Sequence, residues 1–284
     1  MERYDILIIG GGAAGISAAK AAYSAGCRSI LLVEHKGYLG GVLQQCTHRG
    51  FGAEQNGPEY ITSLLYEFPD EVQCLLHTTV VRINPDKTAV IASAQAGERT
   101  IAFSQLILAA GCREIPPGAL LIAGTRPKGV YTAGQMQEMM NLYGVIPQSP
   151  VVILGSGDLG LIMANQVVET GGQVVLIEQN DVCGGMERNR RNIEAQSIPI
   201  ILNTTIAELH GEKELSNVKL TDGTMLPCKT LLIAVGLCSN RELLQELDSP
   251  DWLHLCGNCN RVHAMIESVV YEGTKAGLAA CRQL

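Results

Sequence analysis

The stretch DILIIGGGAAGISAAKAAYSAGCRSILLVE, residues 5–34, runs from a short apolar segment through three glycines and a run of small residues to a second apolar segment ending on an acid. Short apolar runs bounded by glycine read as buried strands, and the Ala/Ser run between them reads as a helix. The glycines at 10, 12 and 15 each have their own physical use. Gly10 permits the tight turn, Gly12 lets the backbone approach a pyrophosphate, and Gly15 lets the helix pack closely on its strand. The helix start then offers unpaired N–H groups and a positive dipole end to phosphates. Glu34, nineteen residues after Gly15, stands where an acid accepts hydrogen bonds from ribose hydroxyls. The stretch is a dinucleotide-binding unit.

The chain then repeats it. PVVILGSGDLGLIMANQVVETGGQVVLIE, residues 150–178, places Gly155, Gly157 and Gly160 in the same roles and Glu178 in that of Glu34. Gly40–Gly41 follow Glu34 by six and seven residues, as Gly184–Gly185 follow Glu178. HTTVVRI (77–83) echoes NTTIAEL (203–209), and LILAAG ending at Gly111 echoes LLIAVG ending at Gly236. Five correspondences in one order make two copies of one module. A carboxylate at 178 repels a 2′-phosphate, so the second site should prefer NAD(H) to NADP(H). Arg188, Arg190 and Arg191 read as a solvated basic helix face. Between the copies, REIPPGALLIAGTRPKGVYTAG reads as loop and crossover, and QMQEMMNLYG as a short helix stopped by Gly144. The C-terminal VHAMIESVVYEGTKAGLAACRQL reads as an amphipathic helix kinked near Gly273.

The bulk numbers agree. A length of 284 residues suits two domains. A net charge of −7 and an aromatic content of 4% argue against a phosphate-backbone binder or a base-stacking platform, so no nucleic-acid partner is expected. The ten cysteines are scattered rather than laid out as a disulfide framework, which points to a reducing cytoplasm. Glu2, Asp5 and the glycine triplet break any leader-like pattern, and no apolar run reaches the roughly 18 residues of a membrane span.

Two glycine modules closed by LILAAGCREIPP (106–117) and LLIAVGLCSNRELL (231–244) resemble the two-dinucleotide flavoprotein reductases, the broad group of thioredoxin reductase and the disulfide oxidoreductases. GGVLQQCTHRGFG (40–52), GTRPKGVYTAGQMQEMMNLYG (124–144), VVILGSGDLGLIMA (151–164) and CGNCNRVHAMIESVVYEGTKAG (256–277) resemble one branch of that group. This branch comprises FAD-dependent oxidoreductases found beside glycerol-3-phosphate-dehydrogenase-like proteins. It is related to the flavin subunits of opine oxidase, hydrogen cyanide synthase and multi-subunit proline dehydrogenase.

The resemblance implies an α/β fold of two three-layer, Rossmann-like domains arranged as in thioredoxin reductase, without a separate C-terminal dimerisation domain. Residues 1–118 and 239–284 would form a discontinuous FAD domain and residues 119–238 an inserted NAD(H) domain. FAD would lie against Gly10, Gly12, Ala13, Ala14, Gly15, Glu34, His35, Gly41, Val42, Val80, Ala109, Ala110, Gly111, Gly257, Asn258, His263 and Ala264. NAD(H) would lie against Gly155, Gly157, Asp158, Leu159, Gly160, Glu178 and Gly236. The implied reaction is hydride transfer between NAD(H) and FAD, within a multi-subunit dehydrogenase whose partner is a flavoprotein or iron–sulfur subunit, or within a homo-oligomer. Rival readings are a stand-alone NADH oxidase or thiol-dependent reductase, and a non-catalytic subunit with a regulatory nucleotide in the second site.

The cysteines bear on the choice. Cys256-Gly-Asn-Cys259 followed by His263 admits a buried structural pair, a redox dithiol, or a metal site with only three local ligands. The structural pair is favoured and no metal is assigned. In the broad group a Gly-Asp turn binds the flavin ribityl chain, and Gly257–Asn258 occupies that place. Asn keeps an acceptor oxygen, adds a donor NH₂ and loses the negative charge. The turn at Val262–Met265 would start the last helix and aim its dipole at the flavin pyrimidine edge, worth about 0.3–2 kcal/mol to an anion there. Cys46, with His48 two residues on, is a tentative catalytic thiol. No second cysteine stands at the spacing of a disulfide reductase, and packing is favoured for it.

Overall fold

The computed structural model describes residues 1–245, 247–248 and 250–284. Its helices are α1 (Ala13–Ser24), α2 (Gly57–Leu65), α3 (Ala133–Tyr143), α4 (Asp158–Glu169), α5 (Glu187–Ala195) and α6 (Ile266–Arg282). The chain divides into two compact units, Met1–Arg113 with Cys238–Leu284, and Glu114–Leu237.

In the first unit a parallel sheet runs in the order Gln73–Leu75, Ile30–Val33, Arg3–Ile9, Gly97–Leu108, Leu253–Leu255. The first half of Gly97–Leu108 extends beyond this sheet and pairs antiparallel with Thr88–Ser93, which pairs with Thr78–Asn84. Side chains alternate across the pleat. Ile6 and Ile8 face α1 and α6, packing with Ala14, Ala18, Ala22 and Ala276. Leu7 and Ile9 face the other way, packing with Ile91, Phe103, Leu106 and Trp252. Both faces are covered, so the strand ILLV at 30–33 is buried at all four positions.

The second unit repeats the plan. Its parallel sheet runs Ile200–Ile201, Val174–Ile177, Val151–Leu154, Thr230–Ile233, Val130–Thr132, and Asn217–Leu220 pairs antiparallel with both Ile206–His210 and Met225–Pro227. Val151 and Ile153 pack on the helix side, and Val152 and Leu154 on the side of the antiparallel sheet. Several backbone bonds recur in both copies. Gly10 N donates to Val33 O at 2.9 Å and Gly155 N to Ile177 O at 2.8 Å. Glu34 N donates to Leu75 O and Glu178 N to Ile201 O, both at 2.9 Å. His77 and Asn203, which open the echoed HTT and NTT segments, both hold a left-handed backbone, with φ of 49° and 57°.

Two expectations change. The passage between the copies is not all loop: Val130–Thr132 is an edge strand of the second sheet, and Ala123–Gly124 pairs with Ile206–His210. Strand formation there depends on partners distant in sequence, which local composition does not show. The last helix begins at Ile266, with Met265 as its N-cap, so Val262–Ala264 precede it. The backbone N–H of His263 is taken by Asn258 Oδ1 at 3.0 Å, which draws this stretch back to the preceding turn. α6 runs on through Gly273 and is continuous for 17 residues. Gly273 and Gly277 are contact points, because a Cβ on either would overlap the backbone carbonyl oxygen of Ala14 or Ala18 in α1.

Candidate functional site

The first glycine turn is an open cradle. Gly10 has φ +104°, and a Cβ there would overlap the Ala109 carbonyl. A Cβ on Gly15 would overlap the Gly10 carbonyl, so the helix is pressed against its strand. At Gly12 the nearest obstacle is Gly41 Cα at 4.0 Å. The protein therefore leaves room over Gly12 that its own packing does not need. No side chain caps α1 at Gly12, and its first turn, Ala13–Ala14–Gly15, carries no acid. An uncapped, uncharged helix start beside an unfilled space is suited to a diphosphate, so the residues fit the group.

Glu34 is 3% exposed and braces this turn. Its Oε2 accepts from Gly11 N at 2.7 Å and its Oε1 from Lys36 N at 2.7 Å; His35 Nδ1 lies 2.8 Å from Oε1, within ion-pair range. Gly40 N donates to Gly11 O at 2.8 Å and sets Gly41 beside Gly12, leaving Val42 exposed. Val80 is buried in the core, so only its backbone is available to a ligand. Ala109 is buried, Ala110 is half-buried, and Gly111 has φ +67° with open space at its Cβ position.

The C-terminal segment returns to the same cradle. Gly257 has φ +65°, and a Cβ there would lie 2.8 Å from Ala14 Cβ in the first turn of α1. One carboxylate organises the turn: Glu272 Oε2 accepts from Gly257 N at 2.9 Å and Asn260 Nδ2 at 3.3 Å. Glu272 Oε1 lies 3.1 Å from His263 Nε2, within ion-pair range though not aligned as a hydrogen bond. Burial alone would raise the Glu272 carboxyl, but His263, Asn260 and the Gly257 N–H outweigh it and hold it below its usual range. Ser239 Oγ donates to Asn258 O at 2.6 Å. Ala264 is exposed. Sequence reasoning misses Glu272, because an acid in mid-helix carries no signal of a partner fifteen residues upstream.

Cys46, Cys256 and Cys259 are buried. Cys256 and Cys259 are both 0% exposed, and Cys259 Sγ donates to Leu108 O at 2.8 Å and Cys256 O at 3.2 Å. Burial pushes both thiols up. Cys46 is also buried, and burial pushes its thiol up to about 12. Its Sγ donates to Val42 O at 3.3 Å, and its carbonyl accepts from Gly57 N at 2.8 Å at the start of α2. A nucleophilic thiol needs the opposite shift, which favours packing for Cys46. Among the described residues no three His, Cys, Asp or Glu side chains converge as metal ligands would. All three thiols should resist iodoacetamide in the native protein at mildly alkaline pH and react after denaturation. Mass analysis of the labelled peptides checks this, and native labelling of Cys46 would return it to the list of redox candidates.

The second glycine turn has the same backbone and different side chains. Gly155 has φ +105°, a Cβ on Gly160 would overlap the Gly155 carbonyl, and nothing lies within 4 Å of a Cβ on Gly157. Where α1 starts with Ala13, α4 starts with Asp158, whose Oδ1 accepts from Met186 N at 2.6 Å and Asn189 Nδ2 at 2.7 Å. Its carboxylate thus serves the start of α5. Leu159 is half-buried against the helix-side core. Glu178 Oε2 accepts from Ser156 N at 2.9 Å and Ser156 Oγ at 2.6 Å, and Oε1 from Asn180 N at 3.0 Å and Asn180 Nδ2 at 2.8 Å. Burial would raise this carboxyl, but the bonds from Ser156 and Asn180 hold it below its usual range. Gly236 has φ +146°, with Ile115 Cδ1 3.3 Å from its Cβ position. Arg191 pairs with Glu187 on α5, and Arg190 donates to Gly185 O at 3.0 Å.

Among the described residues no helix is long and apolar enough to cross a membrane. Comparison with known proteins agrees with the geometry. The chain is 34% identical over 221 residues to the hydrogen cyanide synthase component HcnB of Pseudomonas protegens, which is named as a subunit, covering 75% of this chain and 45% of that protein. It is 32% identical over 189 residues to an opine oxidase subunit of Agrobacterium tumefaciens, covering 59% and 35%. It spans less than half the length of either relative. Its fold matches thioredoxin reductase of T. acidophilum with a TM-score of 0.80 over 99% of both chains, at 20% identity. Residues 4–250 match the family model for pyridine nucleotide-disulphide oxidoreductases. The chain belongs to that family and is an FAD- and NAD(P)-linked oxidoreductase.

Proposed function

We propose that the protein transfers hydride between NAD(H) and FAD as the electron-transfer subunit of a multi-subunit dehydrogenase. The observation that carries this reading is the open glycine cradle of the first unit, repeated on the same backbone plan in the second. FAD supplies the hydride chemistry, and the protein supplies position and field. Gly10, Gly12 and Gly15 with the start of α1 hold the FAD diphosphate, and Glu34 takes the adenosine ribose. Ala109–Gly111 and the Gly257–Asn258 turn close over the dinucleotide. The second unit takes NAD(H) at Gly155, Gly157, Gly160 and Glu178. No side chain need give or take a proton for the transfer between the two nucleotides.

The relatives named above are themselves called subunits, which supports a partner subunit. Burial pushes the Cys46, Cys256 and Cys259 thiols up, which disfavours these three for thiol–disulfide exchange. Ten cysteines with no disulfide between them suit a reducing cytoplasm.

Anaerobic titration of the FAD-loaded protein with NADH tests the reading. Flavin absorbance should bleach with NADH, and NADPH should act more weakly because Glu178 repels its 2′-phosphate. Protein that binds FAD and NADH without bleaching would leave a regulatory nucleotide and overturn hydride transfer.

A further inference from the structure

Gly257 is buried, holds a left-handed backbone with φ +65°, and lies against Ala14 in the first turn of α1. Its N–H donates to Glu272 Oε2, on α6, at 2.9 Å. The polar side chains that follow turn back on their own segment. Asn258 Oδ1 accepts from His263 N at 3.0 Å, and Asn258 Nδ2 lies 3.6 Å from Cys112 Sγ. Asn260 Nδ2 donates to Glu272 Oε2 at 3.3 Å. The His263 side chain is 6% exposed and sets Nε2 3.1 Å from Glu272 Oε1. One carboxylate thus reaches both ends of the segment 257–263. The seating of α6 has other supports: Gly273 and Gly277 fit it to α1, and Val269, Ala276 and Ala280 pack into the core. Removing the carboxylate frees the segment and leaves the helix docked.

We propose that Glu272 is a positioning residue for FAD: it holds the Gly257 turn against the start of α1 before the cofactor arrives, and so sets the affinity of the first unit for it. This rests on the reading of that unit as the FAD site. A segment that is free in the empty protein must be ordered when the ligand binds, and that ordering lowers the affinity. A buried N–H left without an acceptor disfavours the ordered turn further. What Gly257 needs from position 272 is an acceptor oxygen at the right reach. Glutamine has that reach: it offers one carbonyl oxygen to Gly257 N and an NH₂ to His263 Nε2, which accepts when it carries no proton. Alanine offers neither.

The test compares the wild-type protein with Glu272→Ala and Glu272→Gln. FAD affinity is measured at equilibrium, well below the thermal midpoint. Amide hydrogen exchange of the segment 256–265 is followed in the FAD-free protein, with α1 as the internal reference. Glu272→Ala should bind FAD about tenfold more weakly, the worth of one hydrogen bond to a charged group. Its segment 256–265 should exchange faster while α1 exchanges as in the wild type. Glu272→Gln should bring FAD affinity back to within about threefold of wild type, since a neutral acceptor keeps part of the bond. That recovery separates positioning through Gly257 from a general loss of stability. A folded Glu272→Ala protein with wild-type FAD affinity overturns the proposal, and so does a Gln variant as weak as the Ala variant. No binding of FAD by the wild type and both variants overturns the assignment of the first unit instead.

Discussion

Gly12→Ala should fold and purify colourless, whereas Gly15→Ala should fail to reach a stable fold. The two glycines lie three residues apart in one turn and differ in what fills the space a methyl would enter. At Gly15 that space holds the Gly10 carbonyl oxygen, so the substitution forces α1 off its strand in the centre of the first unit. Overpacking of this kind costs about 1–3 kcal/mol, and more where the obstacle is backbone. At Gly12 the nearest protein atom is 4.0 Å away, an ordinary contact. The methyl is accommodated by the protein and blocks only the approach of a ligand to the helix start. Losing one or two charge-assisted hydrogen bonds at about 1.5–3 kcal/mol each weakens FAD binding on the order of a hundredfold. Circular dichroism follows the fold, and the visible spectrum after incubation with FAD follows the cofactor. A yellow Gly12→Ala protein with wild-type FAD affinity would remove the cradle from the binding site. Gly157 and Gly160 should divide in the same way for the second unit, since nothing lies within 4 Å of a Cβ on Gly157, while one on Gly160 meets the Gly155 carbonyl.

Much of this is legible in the chain because the features concerned are local. A glycine turn between two apolar runs carries its strand–turn–helix geometry within about ten residues. The echo of HTT by NTT marks a shared left-handed residue at the end of a parallel strand, His77 in one copy and Asn203 in the other. What the sequence does not reveal depends on partners far along the chain. Gly273 reads as a helix kink because a helical glycine alone says only that the helix is weakened. Its reason is Ala14, some 260 residues earlier by number. Glu272 has no visible role until the Gly257 turn is set beside it. Cys46 followed by His48 has the pattern of a reactive thiol, and the pattern does not show the burial that pushes this thiol up. Ser156 leaves one trace, a side chain where the first copy has glycine, and its bonds to Glu178 and Gly184 appear only in the fold.

The pairing of α6 with α1 leads to the second large effect. Gly costs about 1 kcal/mol relative to Ala inside a helix, so two glycines four residues apart on α6 stand against intrinsic preference. They face Ala14 and Ala18 on α1, and a Cβ on either would overlap the carbonyl oxygen opposite. Gly273→Ala and Gly277→Ala should therefore each lower the thermal midpoint by about 3–10 °C, from overpacking of about 1–3 kcal/mol in a domain of this size. Their effects on FAD should differ. Ala18 lies a full turn inside α1, whereas Ala14 is in the first turn, beside Gly12. Gly273 also follows Glu272, whose carboxylate holds Gly257, Asn260 and His263. Displacing α6 at Gly273 disturbs the helix start and the closing turn together; displacing it at Gly277 disturbs neither directly. FAD affinity, measured well below the thermal midpoint, should fall about tenfold or more in Gly273→Ala and stay near wild type in Gly277→Ala. Equal losses in both would make α6 a general support of the unit rather than part of its cofactor site. A stable Gly273→Ala protein that binds FAD normally would show that the C-terminal turn lies away from the cofactor.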